Sequence, residues 1–535
     1  MSEQMNQAIQ QALQELEKFQ PVATSLVSYQ SNGRVILLGG ESELNRCGPF
    51  DDPLTVTRLS TRKSEHSLGQ TGIIDITGQA VEIKGYLGKF EVLLPEARPG
   101  EVRKFEADII VDLNKQAILQ RELLPPGYLH EDITALKPQE LQHKVLEMTG
   151  AFEKPKFFNY NAALCAHGRN GQTVCTRCID ACPAEAITSL VETIQVEPHL
   201  CQGGGTCAAV CPSGAIKYAY PKLSDSGNSL RKMLQVFHQQ GGDQAVIVFH
   251  STQQSAQALL DKDPQILPVV VEELASVGMD LALSALVYGA AQVVLLADDQ
   301  VPQTSLEHLN QQVDWLQSML SGLGLDPLRV TIVEALADIK RVEARWEINA
   351  ALYTMPDNKR AALFQAIDHL YQQVEKTCDM VTLPDAAPFG EAVIDETRCT
   401  LCMACIGSCP GNALQDGSNR ELPEVFFIES NCIQCGTCTQ TCPENAISIS
   451  PRIIFDREKR NRSRMLCQDS PYACISCGKA FAPTSVIQSM SHKLKDHYMF
   501  NTTRSMDRLK MCDNCRVADI AQDPQALNRH LDPLN

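Results

Sequence analysis

The sequence has few aromatic residues and no long apolar run. Aromatic side chains make up 5% of its 535 residues, and two of them are tryptophans. No stretch of about 18 consecutive apolar residues occurs, so no membrane-spanning helix is predicted. The first twenty residues lack the basic start, apolar centre and small-residue cleavage site of a secretion signal. A cytoplasmic protein is therefore expected.

Motifs for nucleotide binding and for hydrolysis are also missing. The chain contains no G-x-x-x-x-G-K-[ST], no G-x-S-x-G and no H-E-x-x-H, and no G-x-G-x-x-G follows a predicted strand. Its formal net charge of −17 repels phosphate backbones, so nucleic acid is not expected as a partner. Nothing resembles a substrate-processing site, which favours an electron carrier or electron-transfer subunit over a stand-alone enzyme and leaves enzymatic activity open.

Cysteine, by contrast, is abundant. The chain has 22 cysteines, most of them in short runs around residues 165–211, 399–442 and 467–515. In a reduced compartment, clustered thiols bind metal more often than they pair as disulfides. Cys47 has no cysteine neighbour in sequence, and we interpret it as a structural thiol rather than a ligand.

The chain is long enough for several domains. Residues 1–150 contain an amphipathic helical pattern and then short alternating runs, which predict an N-terminal helix and a β-rich module. Residues 222–384 alternate strand and helix patterns, which is typical of an α/β domain with a parallel sheet. The basic stretch 452–464 is interpreted as a solvated linker, with a docking site for an acidic partner or RNA as the alternative.

Two segments share one cysteine spacing. "CTLCMACIGSCP" begins at Cys399 and "CIQCGTCTQTCP" at Cys432, and each is a C-x-x-C-x-x-C-x-x-x-C-P. Three closely spaced thiolates on one loop can grip three corners of an iron–sulfur cubane. The repeat resembles the bacterial two-cluster ferredoxins, in which the fourth cysteine of each loop ligates the other cluster. The resemblance implies one [4Fe–4S] cluster on Cys399, Cys402, Cys405 and Cys442, and another on Cys432, Cys435, Cys438 and Cys409.

An earlier region repeats this design with changes. Both of its loops keep the C-x-x-x-C-P ending, but the first has Gln172 and the second has Gly204 where the intact loops have cysteine. In the first loop, the upstream Cys165 can substitute if the glycine-containing insert lets it fold back. By the same crossing rule, the resemblance implies one complete cluster on Cys165, Cys175, Cys178 and Cys211.

The second cluster of this region would have only three thiolates, from Cys182, Cys201 and Cys207. Three thiolates suit a [3Fe–4S] cluster, or a [4Fe–4S] cluster whose remaining iron is open or held by another group. His167 and His199 are candidates for that group, although histidines in such places more often hydrogen-bond or face solvent. Complete loss of this cluster is the other alternative.

The C-terminal region has a different cysteine pattern. "CISC" at Cys474 and "CDNC" at Cys512 are two C-x-x-C knuckles separated by a long insert. Two knuckles form a closed tetrahedral site, which resembles a zinc ribbon, and mononuclear iron is the alternative. The predicted metal ligands are Cys474, Cys477, Cys512 and Cys515, with Cys467 as a spare thiol or an alternative ligand.

The whole chain resembles bacterial multi-cluster 4Fe–4S dicluster proteins that are associated with formate dehydrogenase genes. We therefore expect an α+β multidomain protein, in which two ferredoxin-like domains of βαββαβ type flank the α/β domain. The expected domains are the N-terminal module 1–150, a ferredoxin-like domain 151–221, the α/β domain 222–384, a two-cluster ferredoxin domain 385–455 and a zinc-ribbon-like domain 456–535.

Three functions fit this organisation. The first is an electron relay between a cytosolic oxidoreductase, such as formate dehydrogenase, and an acceptor protein. The second is a redox enzyme subunit that binds substrate at the open iron held by Cys182, Cys201 and Cys207. The third is an accessory or maturation factor that uses its clusters as structure or as a redox sensor.

Overall fold

The chain divides into two compact units. The computed structural model describes residues 3–63, 72–95, 102–135, 137–169, 172–251, 259–260, 265–375, 378–417 and 422–524. The first unit comprises Met1–Ala162, Thr176–Gln317 and Asp326–Gln373, and the second comprises Ala163–Cys175, Ser318–Leu325 and Val374–Asn535. The boundaries of the five expected domains stay predictions, and the last residues of the fifth, 525–535, lie outside the described part of the chain.

The first unit begins with a helix and a set of short strands. The helices are Glu3–Glu17, Glu41–Arg46 and Pro138–Glu147. The strands are β1 Leu26–Ser31, β2 Arg34–Gly40, β3 Thr55–Arg62, β4 Ile73–Asp75, β5 Glu82–Tyr86, β6 Lys89–Pro95, β7 Val102–Ala107, β8 Ile109–Asp112, β9 Tyr128–His130 and β10 Gly150–Pro155. This part is β-rich, as predicted.

The main sheet of this module is parallel, whereas the alternating runs predicted β structure without a strand direction. Its five strands lie in the order β4-β3-β2-β8-β9. The central strand β2 is buried on both faces: Val35 and Leu37 belong to one apolar core, and Ile36 and Leu38 to another. Burial on both faces produces a continuous apolar run instead of alternation, as is typical of parallel sheets.

A second sheet, β5-β6-β7, is an antiparallel meander. Its first hairpin turns at Leu87 and Gly88, between β5 and β6. Gly88 has a φ of +85°, and a Cβ there would lie 2.1 Å from the carbonyl oxygen of Gln30. The turn therefore needs glycine both for its backbone conformation and for the close approach of β1.

The first cysteine region follows. Most of it belongs to the same unit, whereas its insert, Ala163–Cys175, belongs to the second unit. Its strands are β11 Phe158–Tyr160, β14 Ile187–Ser189, β15 Ile194–Val196 and β16 Ile216–Tyr218, and its helices are Arg177–Asp180 and Thr206–Val210. The insert, in the second unit, carries β12 Gly168–Arg169 and β13 Gln172–Thr173. Strand β11 pairs with β16, and β14 with β15, both antiparallel. The order of elements outside the insert is βαββαβ.

The α/β part has the expected parallel sheet. Its strands are β17 Ala245–Ser251, β18 Ile266–Val271, β19 Ala290–Leu296 and β20 Val330–Val333, and its helices are Leu223–Gln239, Met279–Val287, Gln303–Gly322 and Lys359–Gln373. The strands lie in the order β18-β17-β19-β20, all parallel. All nine residues of Met279–Val287 are buried, because this helix packs against both the sheet and neighbouring helices.

The second unit contains the other cysteine regions. Its strands are β21 Met380–Thr382, β22 Gly390–Ile394, β23 Leu414–Asp416, β24 Glu424–Phe427, β25 Ile447–Ile454, β26 Arg464–Gln468, β27 Pro471–Ala473 and β28 Ala480–Pro483. Its helices are Ala404–Ser408, Thr437–Thr441, Arg457–Asn461, Thr484–Leu494, Thr503–Arg508 and Asp513–Ala521. The pairs β22–β25 and β23–β24 repeat the antiparallel pattern of the first cysteine region.

The interpretation of residues 452–464 as a solvated linker is wrong. This stretch completes β25, forms a short helix and begins β26, which pairs with β24. Arg452 bonds Glu429, and the 2% exposed Arg460 donates to the carbonyl oxygens of Ile454 and Phe455. Arg452 and Arg460 are therefore used inside the unit. Among the described residues, no helix combines the length and apolar character needed to cross a membrane.

A buried carboxylate joins two strands of the N-terminal module. The Asp108 side chain is fully buried and accepts hydrogen bonds from the backbone N–H groups of Asn32 and Arg34, at 2.8 and 3.0 Å. It also accepts a bond of 2.6 Å from the Arg34 guanidinium. Because removal of the carboxylate leaves these donors unsatisfied, we expect Asp108→Ala to destabilise the module by about 3 kcal/mol. Hydrogen exchange of β2 and β8 measures the loss.

Glu106 provides the control for this variant. Its carboxylate contacts the same guanidinium at 3.7 Å but is exposed. Glu106→Ala should leave the exchange rates of β2 and β8 unchanged, since exposed ion pairs contribute little. If hydrogen exchange of β2 and β8 were as slow in the Asp108→Ala protein as in the unmodified protein, the stabilising role of this carboxylate would be contradicted.

Candidate metal centres

Two cavities in the second unit are lined by cysteines. One is surrounded by Cys409, Cys432, Cys435 and Cys438. The other is surrounded by Cys399, Cys402, Cys405 and Cys442. In each cavity, three cysteines come from one loop and the fourth from the end of the other loop. The structure thus brings together the same two sets of four thiols that the ferredoxin resemblance implies.

The backbone of each loop has two left-handed residues. In the first loop they are Leu401 and Met403, with φ of 52° and 62°. In the second they are Gln434 and Gly436, with φ of 51° and 79°. Left-handed backbone costs a non-glycine residue roughly 1–2 kcal/mol and is found mainly where function requires it. These residues lie on either side of the middle cysteine, so the reversals turn the side chains of the loop toward one point.

Backbone N–H groups are directed at the sulfurs. Ala413 donates to Cys409 Sγ and Ala446 donates to Cys442 Sγ, both at 3.3 Å. The residues just before these alanines, Asn412 and Asn445, are again left-handed, which turns the N–H groups back toward the cysteine. Such bonds stabilise thiolate sulfur and are among the features that set the potential of an iron–sulfur cluster.

The electrostatics of the thiols show how closely they are grouped. Burial, and then the neighbouring thiolates of Cys399 and Cys402, raise the pKa of Cys405 to about 12. Burial and its own neighbours raise the pKa of Cys438 further, and Cys405 of the other set contributes to that shift. Four closely grouped thiolates repel one another unless a cation neutralises them, so this donor set fits a thiolate-bound cluster. The two cavities are also adjacent.

Cys467 lies beside Cys399, in the set with Cys402, Cys405 and Cys442, and not in the C-terminal metal site. It is 4% exposed on β26, within the apolar core that surrounds the cluster loops. Its thiol donates a hydrogen bond to the sulfur of Cys399, and burial together with that sulfur raises the pKa of Cys467 to about 12. It therefore stays protonated and acts as a donor. Its position could not be read from the sequence, because it depends on the pairing of β26 with β24.

In the first unit, the loop with Gly204 keeps the backbone of the intact loops. Its left-handed residues are Gly203 and Gly205, with φ of 88° and 76°, at the same two positions relative to Cys201 as in the intact loops. A Cβ on Gly204 would meet no atom within 4 Å, and its own φ is not left-handed. The loop has therefore lost the middle thiol but kept the conformation that would present one.

The three remaining thiols of this site lie near one another. Burial raises the pKa of Cys207 well above its ordinary value, and the thiolates of Cys201 and Cys182 add to the shift. Ala186 donates to Cys182 Sγ at 3.3 Å, as its counterparts do in the intact loops. Lys154 donates to the Cys201 carbonyl oxygen at 2.7 Å, and burial lowers the pKa of this lysine to about 8.

Both candidate histidines use Nδ1 in a hydrogen bond within the protein. His199 bonds the carboxylate of Glu197 at 2.7 Å through Nδ1, and its ring stacks on Tyr86 with the centroids 4.2 Å apart. His167 is 1% exposed and bonds the carbonyl oxygen of Cys175 at 2.8 Å through Nδ1. These bonds fix the orientation of both rings, and a role for either histidine as the fourth ligand stays a prediction.

The four cysteines of the other predicted set in the first region are divided between the two units. Cys178 and Cys211 belong to the first unit, whereas Cys165 and Cys175 lie in the insert that groups with the second. This loop also departs from the common backbone, because Thr176, before the helix Arg177–Asp180, has a φ of −114°. The four-cysteine set proposed for this loop stays a prediction.

A lysine from the α/β part reaches the end of the altered loop. Lys359 Nζ donates to the carbonyl oxygens of Ala208 and Ala209, both at 2.7 Å, just before Cys211. Burial opposes ionisation of Cys211, but the Lys359 ammonium and nearby N–H groups lower the pKa of this thiol overall. Asp280 lies close by, where burial raises its pKa. Nothing in the local sequence indicated this lysine, since about 150 residues separate it from the loop.

The C-terminal knuckles form a compact group of four thiols. The sulfurs of Cys474, Cys477, Cys512 and Cys515 all lie within 4.8 Å of one another. Despite burial, N–H groups of Cys512, Cys477 and Ser476 lower the pKa of Cys474 to about 6. A thiolate already present at neutral pH favours metal binding. This group fits a tetrahedral metal site.

Comparisons with known families agree with this geometry. Residues 398–447 match the family described as 4Fe–4S dicluster domain, and residues 194–217 match the family described as 4Fe–4S binding domain. The chain contains ferredoxin-type domains that bind iron–sulfur clusters. The second match includes Gly204, so the altered loop still has the features of a cluster-binding sequence. No curated protein matches the chain.

The Cys467 thiol allows a direct test of its hydrogen bond. Because hydrogen bonds to sulfur help to set cluster potentials, Cys467→Ala should make the potential of one cluster more negative. Cys467→Ser keeps a donor and should recover part of the shift. Potentiometric titration followed by electron paramagnetic resonance (EPR) measures both. An unchanged potential in Cys467→Ala would show that the bond has no effect on the cluster.

The C-terminal thiols can be tested by metal content. Cys512→Ser removes one of four ligands, and we expect the purified protein to lose about one metal ion per chain. Cys378→Ser is the matched control, since this thiol lies outside the group and donates to the Gly322 carbonyl oxygen. Elemental analysis decides between zinc and iron. Full metal retention in Cys512→Ser would rule out a four-thiolate site.

Proposed function

We propose that this protein is an iron–sulfur electron carrier that relays single electrons between a cytosolic oxidoreductase and an acceptor protein. The observation that carries the proposal is the pair of adjacent cavities in the second unit, each lined by four cysteines. When bound there, [4Fe–4S] clusters supply one-electron redox chemistry with all ligands retained. Adjacent sites provide a path for the electron through the protein.

The ligand sets follow from the cysteines around each cavity. We assign one cluster to Cys399, Cys402, Cys405 and Cys442, and a second to Cys432, Cys435, Cys438 and Cys409. In the first region we assign a third to Cys165, Cys175, Cys178 and Cys211, and a three-thiolate site to Cys182, Cys201 and Cys207. The C-terminal thiols are assigned to a structural zinc ion, which suits four cysteines in a small module.

The chain also provides an exit for electrons. Cys402 is exposed, whereas the other three cysteines around its cavity are at least partly buried. A cluster held there lies at the protein surface on one side, where a partner protein can dock. The whole-chain resemblance points to formate dehydrogenase as one such partner. The acceptor would be a second redox protein.

A second function is favoured by one observation. Gly204 leaves open space where the intact loops carry a thiol, while the surrounding backbone is kept. An iron held by Cys182, Cys201 and Cys207 would then keep a coordination position for an external small molecule. In that case the protein is a redox enzyme subunit and not only a carrier.

Metal and sulfide analysis of anaerobically purified protein tests the cluster content. Four [4Fe–4S] clusters require about 16 irons per chain, whereas a [3Fe–4S] cluster at the altered site lowers the number to about 15. The relay predicts that every cluster is reduced reversibly in one-electron steps without substrate. A cluster spectrum that changes only when a candidate substrate is added would support the enzyme instead. An iron content of about 8 per chain, which is what two [4Fe–4S] clusters hold, would show that the first region binds no cluster and takes no part in the relay.

Gly204→Cys tests the altered loop directly. Because the Cβ has room and the backbone already has the required conformation, we expect the new thiol to complete a four-cysteine site. Iron content should rise by about one per chain, and the EPR signal of an oxidised [3Fe–4S] cluster should disappear.

Gly407→Cys is the matched control for this variant. A Cβ at Gly407 also meets no atom within 4 Å, but the residue does not occupy a ligand position of its loop. It should change neither iron content nor spectrum. If Gly204→Cys behaves in the same way as this control, the altered site either has a fourth ligand already or holds no cluster.

A further inference from the structure

The α/β part of the first unit contains a cavity of about 420 Å³. Its walls are the last turns of the N-terminal helix Glu3–Glu17, the helix Leu223–Gln239, and the end of the edge strand β18. Cavities that bind small molecules usually measure roughly 300–1,000 Å³. The size is therefore sufficient for a small organic ligand.

The cavity arises from the way the two helices pack. On the N-terminal helix, the buried Ala8 and Ala12 allow close approach to Leu223–Gln239. Further along the same helix, the larger Leu13 and Leu16 border open space instead of filling it. Val270 of β18 lines the same space and is 51% exposed, so apolar surface is left uncovered.

Most of the polar side chains around the cavity present acceptors, and the Ser226 hydroxyl can also donate. Tyr218, Ser229 and Ser276 each donate their hydroxyl proton to a carbonyl oxygen elsewhere in the protein, which leaves their lone pairs for a ligand. Two exposed carboxylates, Glu17 and Glu272, also line the cavity. None of the described residues that line it is a lysine, arginine or histidine. Within the described residues, neither of these two carboxylates forms an ion pair.

We propose that this cavity binds an apolar small molecule with a protonated amine head. The apolar walls accommodate its hydrocarbon part, and the carboxylates and hydroxyl oxygens accept from the ammonium, which has three donors and no acceptor. An anionic ligand of the same shape would instead be repelled by the two carboxylates, Glu17 and Glu272. Binding at this site is a function beyond electron transfer.

The cavity wall also contacts the altered cysteine loop. Tyr218 donates to the carbonyl oxygen of Gly203 at 2.7 Å. Ser276 lies so close to Gly205 that a Cβ there would be 2.6 Å from the Ser276 Cα. Gly203 and Gly205 are the two left-handed residues of the loop. A bound ligand therefore acts on the loop between Cys201 and Cys207, and this coupling, unlike the binding itself, rests on the proposed function.

Binding is tested on the full-length protein with Nile red, a neutral apolar dye that fluoresces in apolar sites. Octylamine should displace the dye at about tenfold lower concentration than octanoate, because chain length is equal and only the head charge differs. Glu17→Gln combined with Glu272→Gln should remove most of this difference and leave dye binding intact. Equal displacement by the two compounds would overturn the proposed ligand class.

Two tryptophan variants locate the bound dye. Val270→Trp places a bulky side chain over the cavity and should abolish Nile red binding. Leu328→Trp is the control, because Leu328 is 54% exposed and does not line the cavity. Dye binding that survives Val270→Trp, or no dye binding by the unmodified protein, would refute the site.

Coupling to the loop is read separately by EPR. Saturating octylamine should change the signal of the cluster at the altered loop, and Tyr218→Phe, which removes the bond to Gly203, should weaken that change without preventing binding. Octylamine binding with no cluster signal in any sample would refute the proposed function but not the site. A cluster signal that octylamine leaves unchanged would refute only the coupling.

Discussion

The cluster loops depend on paired reversals of the backbone to the left-handed region. Leu401 and Met403 in one loop, and Gln434 in another, adopt this conformation although their side chains disfavour it. The reversals direct cysteines and N–H groups toward a common point, and a cluster bound there would offset the cost. The altered loop uses Gly203 and Gly205 at the equivalent positions, so its backbone reaches the same geometry with less strain.

Charges from distant parts of the chain complete the surroundings of these loops. Lys154 and Lys359 bring ammonium groups to the carbonyl oxygens beside Cys201 and Cys211. In the second unit, Cys467 contributes a thiol hydrogen bond to Cys399. Positive charge and donors near sulfur both favour the more negative, reduced state of a cluster. The first unit thus uses lysine ammonium groups, and the second unit a thiol hydrogen bond, to favour the reduced state of a cluster.

The parallel sheets give the first unit its rigid framework. Strand β2 in the N-terminal module and strand β17 in the α/β part are buried along most of their length. Burial on both faces requires cover from each side, which helices and the β5-β6-β7 meander supply in the N-terminal module. In the α/β part, the N-terminal helix covers its neighbours incompletely and leaves the cavity beside the altered loop.

Local spacing was enough to predict much of this protein. The cysteine repeats predicted the cluster-binding regions, because three ligands of each cluster lie on one short loop. The sets of four thiols that line the two cavities of the second unit were implied by the ferredoxin resemblance, since the fourth thiol of each set comes from the other loop. The C-x-x-C knuckles likewise predicted four neighbouring thiols, and strand–helix alternation predicted the parallel sheet of the α/β part. The N-terminal sheet was anticipated only as β-rich, since apolar runs do not reveal strand direction.

The remaining features were decided by tertiary structure. The contacts of Lys359 and Cys467 join residues far apart in sequence. Residues 452–464 have the composition of a linker, but in the folded chain Arg452 forms ion pairs with Glu391 and Glu429. The sequence alone determined that Gly204 interrupts a ligand pattern. Only the folded chain decided that the interrupted loop keeps its shape, because the left-handed conformation of its flanking glycines is permitted, but not required, by their side-chain chemistry.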